Sequence, residues 1–265
     1  MLRWIFAMMI LFCPVLSPAQ SIIDFTKTAK SQTIVPSPGE VISLGKQFKI
    51  FPDMNFAKEL LQYNYKNNFD EHNGVHLGRS LAVLLLALDK LDQKTLNQFF
   101  MKQREAFLTM KLPKVYLDRF DALRVEVSSQ RISRNQLIRM MDLAFTDLVS
   151  REDSELKQNQ LYRIIQGSAW VQAQNIMAKA IQRQQKYEVA KQILYQPQIT
   201  EFIINQLNQA KTAGSPASSL DSMLASMEKY RKIMSLPQIG ADEVQTIIDE
   251  TDQFLTPHSK KNKEN

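Results

Sequence analysis

Leu81-Ala82-Val83-Leu84-Leu85-Leu86-Ala87-Leu88 is apolar on every side, and this run decides the fold. A helix without a polar face belongs at the centre of a bundle. The run is far shorter than the roughly 20 residues that cross a bilayer, and Arg79 stands just ahead of it. The helix that carries it is expected to extend from about Asp70 to Lys90.

Working outward, the pattern on both sides is helical. Asp53 is positioned as an N-cap ahead of Phe56, Leu60 and Tyr63 at helical spacing. Asp92 can cap a helix carrying Leu96, Phe99, Phe100, Gln103 and Phe107, which Leu112-Pro113 closes. Tyr116, Phe120, Leu123 and Val127 form one clean face of the next helix. Ser133-Arg134-Asn135-Gln136 reads as a capping box before Leu137, Met141, Phe145 and Leu148. A long helix is expected from about Ser154 to Gln196, with a bend at Gly167. Pro197, Leu220 and Ala241 stand at or near the starts of three more helices, and Gly214 and Leu236-Pro237 supply stops.

Composition agrees. The chain has 265 residues, 44% hydrophobic and 23% charged, which excludes a wholly disordered protein. Seven Gly and ten Pro are too few for a collagen-like or turn-rich β design. One Cys excludes a disulfide scaffold and a Cys-based zinc cluster.

The N-terminus reads as an export signal. Arg3 is the positive end, Trp4 to Leu16 is an apolar run, and Ser17-Pro18-Ala19 offers small residues before a cut ahead of Gln20. An uncleaved anchor and a lipid-modified Cys13 are the alternatives. Cleavage would remove Cys13 and Arg3, leaving a cysteine-free chain of net charge +5 in place of +6, of which +2 lies in the last ten residues. The body is close to neutral, which disfavours a nucleic-acid partner. The expected organisation is a signal peptide at 1–19, an extended arm or linker at 20–50, one helical domain at 51–256 and a disordered basic tail at 257–265. Residues around Gly45-Lys46 could pair two short strands.

Two segments, HLGRSLAVLLLALDK (76–90) and YRIIQGSAWVQAQ (162–174), place a Gly ahead of a buried-looking helix, 89 positions apart. They suggest either an old duplication or, preferably, two close helix crossings. Both segments resemble a loose group of uncharacterised, exported, all-helical bacterial proteins. In that group a Leu-Gly leads into a buried helix, and a later Gly-Gly-Trp or Gly-x-Trp does the same. The resemblance covers these segments alone. It implies fold and compartment and carries no activity. The chain departs from the group at Gln172, where an acidic residue is expected, and at Leu81-Ala82, where Ala-Asp is common.

Candidate chemistry is sparse. His72 and His76 lie four apart, on one helix face, where they could share a metal. Asn73-Gly74 between them lacks the Glu of HExxH, and two such His more often cap and pack. There is no GxSxG elbow, P-loop or GxGxxG. The Gln-rich long helix is expected to face water, or else to offer amides to a partner. Trp170 reads as a core plug, with the wall of a ligand pocket as the alternative. Arg79 and Gln172 join His72, His76 and Trp170 as candidate ligand- or partner-binding residues.

The sequence therefore predicts an all-α bundle of about seven to nine helices, exported to the periplasm or beyond. A non-enzymatic binding module acting through helix surfaces, with an envelope or secreted protein as partner, is the leading function. A carrier of a small hydrophobic ligand or lipid, seated near Gly78 and Gly167, is the alternative. A metal-dependent enzyme at His72 and His76 comes third. No cofactor is expected.

Overall fold

The computed structural model describes residues 38–53, 57–65, 71–87, 92–112, 114–129, 136, 139–140, 161–212 and 217–256. All of them belong to the unit Val35–Asn265. The export signal, the first part of the arm, the capping box at Ser133 and the basic tail lie outside the described residues.

The architecture is all-α. Among the described residues there are ten α-helices and no strand: α1 (Pro38–Gln47), α2 (Ala57–Leu61), α3 (Glu71–Ala87), α4 (Gln93–Thr109), α5 (Lys114–Ser129), α6 (Leu161–Gln184), α7 (Ala190–Leu194), α8 (Pro197–Thr212), α9 (Ala217–Met234) and α10 (Ala241–Leu255). A 3-10 turn, Tyr187–Val189, precedes α7. None of these helices is long and apolar enough to cross a membrane.

Several boundaries follow the sequence chemistry. Asp92 caps α4, its Oδ1 accepting from the Thr95 amide at 2.9 Å. Glu243 reaches back to the Gly240 amide at 2.8 Å and closes the start of α10. Tyr116, Phe120, Leu123 and Val127 are buried as one face of α5, with Phe120 set against Phe100 and Phe107 of α4 at ring separations of 5.0 and 5.2 Å.

The arm is corrected in its described part. Residues 38–47 form helix α1 in place of short strands, and Gly45 faces α6, where a Cβ would stand 2.6 Å from the Met177 sulfur. The Asp53 carboxylate pairs with Arg183 at 2.9 Å; the residues just after it, which it was expected to cap, lie outside the described residues. The long helix is also corrected. It runs unbroken through Gly167 and stops at Gln184, where Gln185 takes φ 53°. Lys49 and Lys111 take φ 55° and 51° just beyond α1 and α4. In all three places the residue after the left-handed one donates to a carbonyl five residues back: Ile50 to Gly45, Leu112 to Phe107 and Lys186 to Ile181. These are Schellman endings built without glycine.

The largest correction concerns α6. Every residue from Ile164 to Ala178 is buried. The helix expected to show its amides to water is the hub of the bundle, in contact with α1, α3, α7, α8 and α10. Its broadest partner is α3, where Leu81 to Leu86 are all buried as the apolar run predicts. The two helices meet at Gly78. A Cβ there would lie 2.3 Å from the Ile165 carbonyl oxygen, 2.9 Å from Ser168 Cβ and 3.0 Å from the Ala169 nitrogen. Only glycine permits so close a crossing. Gly167 differs, since a Cβ would find Ile203 and Phe254 at 3.4 and 3.6 Å, ordinary contact distances.

Candidate functional site: a polar cleft at Arg79

A helix can be buried with amides on it when those amides find partners. Tyr230 of α9, fully buried, places its hydroxyl 3.1 Å from both Gln174 Oε1 and the Leu194 carbonyl. Asn175 donates to Thr251 Oγ1 at 2.8 Å and to Asp252 Oδ1 at 3.0 Å on α10. Gln172 Oε1 accepts from Arg79 Nε at 2.8 Å across the α3–α6 seam.

These contacts lead to the surface. Gln172, Asn175, Lys179 and Arg183 recur along one stripe of α6 at helical spacing. The stripe emerges from the core beside Arg79 of α3 and Asp252 of α10 and lines a cleft of about 490 Å³. Asp53 and Glu59 complete its acidic side.

The charges in this cleft are not treated alike. Lys179 pairs with Asp252 at 2.7 Å. Arg183 pairs with Asp53 and donates to the Phe51 carbonyl at 2.7 Å, strapping the chain after α1 onto the end of α6. Arg79 has a neutral partner, Gln172, and no carboxylate among the described residues forms an ion pair with it. Burial pulls its guanidinium below the usual value, opposed by the fields of Asp252, Glu59 and the Tyr65 hydroxyl. An arginine still keeps its proton under any ordinary condition.

His72, His76 and Arg79 follow one another along one face of α3. His76 lies flat on Tyr63, ring centroids 3.5 Å apart and planes 15° from parallel. Tyr63 donates to Asn73 Oδ1 at 3.1 Å. The His76 Nδ1 is buried without a hydrogen-bond partner. Burial above all, then the charges of Arg79 and His72, push its pKa down to about 3. The ring is therefore neutral near pH 7 and used for packing. No group of three His, Cys, Asp or Glu able to hold a metal occurs among the described residues, so His72 and His76 gain no third ligand there.

Trp170 is not part of the cleft. It stands two residues from Gln172, hence on a different face of α6. Its ring is fully buried, meets Tyr230 edge-on at 5.7 Å, and donates from Nε1 to Gln196 Oε1 at 3.0 Å. The structure thus joins Arg79 to Gln172, sets His72 and His76 on the same face of α3, and places Trp170 in the core as a plug.

Sequence reasoning missed Asn175, Lys179, Arg183 and Asp252 as cleft residues. The signal for a buried α6 was present: Ile164 to Ala178 contains no charged residue.

A second surface lies on α4. Met101 and Leu108, each about half exposed, line an open groove with Leu61 and Lys94.

The fold and site together define an all-α bundle protein with a polar cleft at the seam of its two central helices. Comparison with family models, with curated proteins and with solved structures finds no match to this chain.

Proposed function

We propose that this chain is an exported bacterial protein that acts as a non-enzymatic binding module, and that its ligand seat is the cleft between α3, α6 and α10. Export is supported by Arg3, the apolar stretch from Trp4 and the small residues before Gln20. Binding is supported by one observation above others: a stripe of α6 leaves the core carrying Gln172, Asn175, Lys179 and Arg183 into a walled recess. The recess offers amides and oriented charges to a polar ligand.

The hydrophobic-carrier reading has less support. Its expected seat near Gly78 is filled by main-chain atoms of α6 within 3.0 Å of where a Cβ would stand.

The test is a thermal-shift screen of the mature chain, from Gln20, against small polar metabolites, beside cross-linking in envelope extract. A ligand at one hundred times its Kd adds about 2.7 kcal/mol, or roughly 5–10 °C in a domain of this size. The reading expects such a shift, lost on Lys179→Glu. A screen without hits, with cross-links only outside the cleft, would overturn it.

A further inference from the structure

We propose that Arg79 takes the carboxylate of a small ligand on the outer edge of its guanidinium, with Gln172 as the positioning residue that holds the inner edge. This rests on the binding reading of the cleft and names the chemistry of its ligand.

Arg79 differs from the other cations of the cleft in having no acid in contact among the described residues. The cleft lining holds three cations, Arg79, Lys179 and Arg183, and three acids, Asp53, Glu59 and Asp252. Lys179 and Arg183 each have an acid within 2.9 Å. Among the described residues Arg79 has only the Gln172 oxygen, at 2.8 Å on Nε. Asp252 and Glu59 act on Arg79 through their fields and make no contact with it. A partly buried cation with no acid in contact is costly to hold. A ligand anion removes that cost on binding.

The geometry selects the anion. The bond from Nε to Gln172 fixes the guanidinium plane and leaves the two terminal nitrogens, whose parallel N–H groups match the two oxygens of a carboxylate. Gln172 supplies the acceptor that orients the fork without neutralising it. A monoanion suits the fork better than phosphate: a dianion would bring a second negative charge beside Glu59 and Asp252, whose fields already act on Arg79.

The test follows the Arg79 Nε–H signal by side-chain nitrogen NMR while sodium acetate or inorganic phosphate is added at constant ionic strength. Acetate is expected to give a saturable shift, with phosphate weaker. Gln172→Glu places a carboxylate of the chain beside the fork; it is expected to raise Tm and to weaken acetate by about tenfold or more. Arg79→Lys keeps the charge, loses the fork, and is expected to weaken acetate similarly. If Arg79→Lys does not fold, Gln172→Glu alone decides. An Arg79 signal that acetate leaves unmoved, acetate affinity unchanged in Gln172→Glu, or phosphate binding tighter than acetate each overturns the proposal. A screening hit that shifts Lys179 and Asn175 but not Arg79 also overturns it, while leaving the binding reading intact. No hit at all, with cross-links only outside the cleft, removes both.

Discussion

Replacing Gly78 by alanine tests the α3–α6 seam at its closest point. The new methyl would stand 2.3 Å from the Ile165 carbonyl oxygen and 3.0 Å from the Ala169 nitrogen, both main-chain atoms that cannot swing aside. Reaching ordinary contact requires the helices to part by about 1 Å. A gap of that size forfeits a quarter to a half of each dispersion contact nearby. Overpacking of this kind costs about 1–3 kcal/mol, and rigid backbone puts this case at the upper end. Alanine returns up to about 1 kcal/mol through its helix propensity. The net expectation is a loss of about 2 kcal/mol, or a Tm lower by roughly 4–8 °C. Gly167→Ala is the control. Its methyl meets Ile203 and Phe254 at ordinary distances, so it should be neutral or stabilising by up to about 1 kcal/mol. Circular dichroism at increasing temperature and in urea reads both. Gly78→Ala as stable as the parent, or less costly than Gly167→Ala, would refute the close-crossing argument.

Three further predictions follow from separate parts of the molecule. His76, with its pKa lowered to about 3, stays neutral when folded while the unfolded chain protonates below about 6.5. Its contribution is complete above that pH and is lost on acidification toward 3, with a slope of at most about 1.4 kcal/mol per pH unit. His76→Phe keeps the stack on Tyr63 and should flatten the stability profile between pH 6 and 4; an unchanged profile contradicts the assignment. Lys111→Gly relieves a left-handed residue at the end of α4 and should add about 0.5–1 kcal/mol by chemical denaturation; a loss would show that the lysine does more there. Tyr230→Phe strips the hydroxyl from Gln174 and Leu194 in a dry core, and should cost about 1–3 kcal/mol; a neutral result would mean that bond carries no net stability.

Much of the bundle was legible in residue order, for reasons that can be named. The apolar run from Leu81 could only be central, and Leu81 to Leu86 are buried. The cap at Asp92 and the face from Tyr116 to Val127 are local patterns, so local reading found them. What failed was non-local. Gln172 and Gln174 look water-facing because hydropathy counts the amide and not its partner. The partners, Arg79 and Tyr230, come from α3 and α9, far away in the chain. The helix ends at Lys49 and Gln185 were hidden because their φ values imitate glycine without its presence, whereas Leu112-Pro113 marked the end near Lys111. Of the site, Arg79 and Gln172 were named singly; their pairing needed the Gly78 crossing to bring two helices to backbone contact.

The central claim is that α6, polar as it looks, is the buried hub of the fold and delivers its stripe into the cleft. Native-state amide hydrogen exchange measures this directly. Amides from Ile164 to Ala178 should be among the slowest in the protein, opening only with global unfolding, on every face of the helix. Protection should fall off toward Arg183, where the stripe reaches solvent. A water-facing helix would instead give fast exchange recurring every three to four residues along α6, and that result would contradict the account.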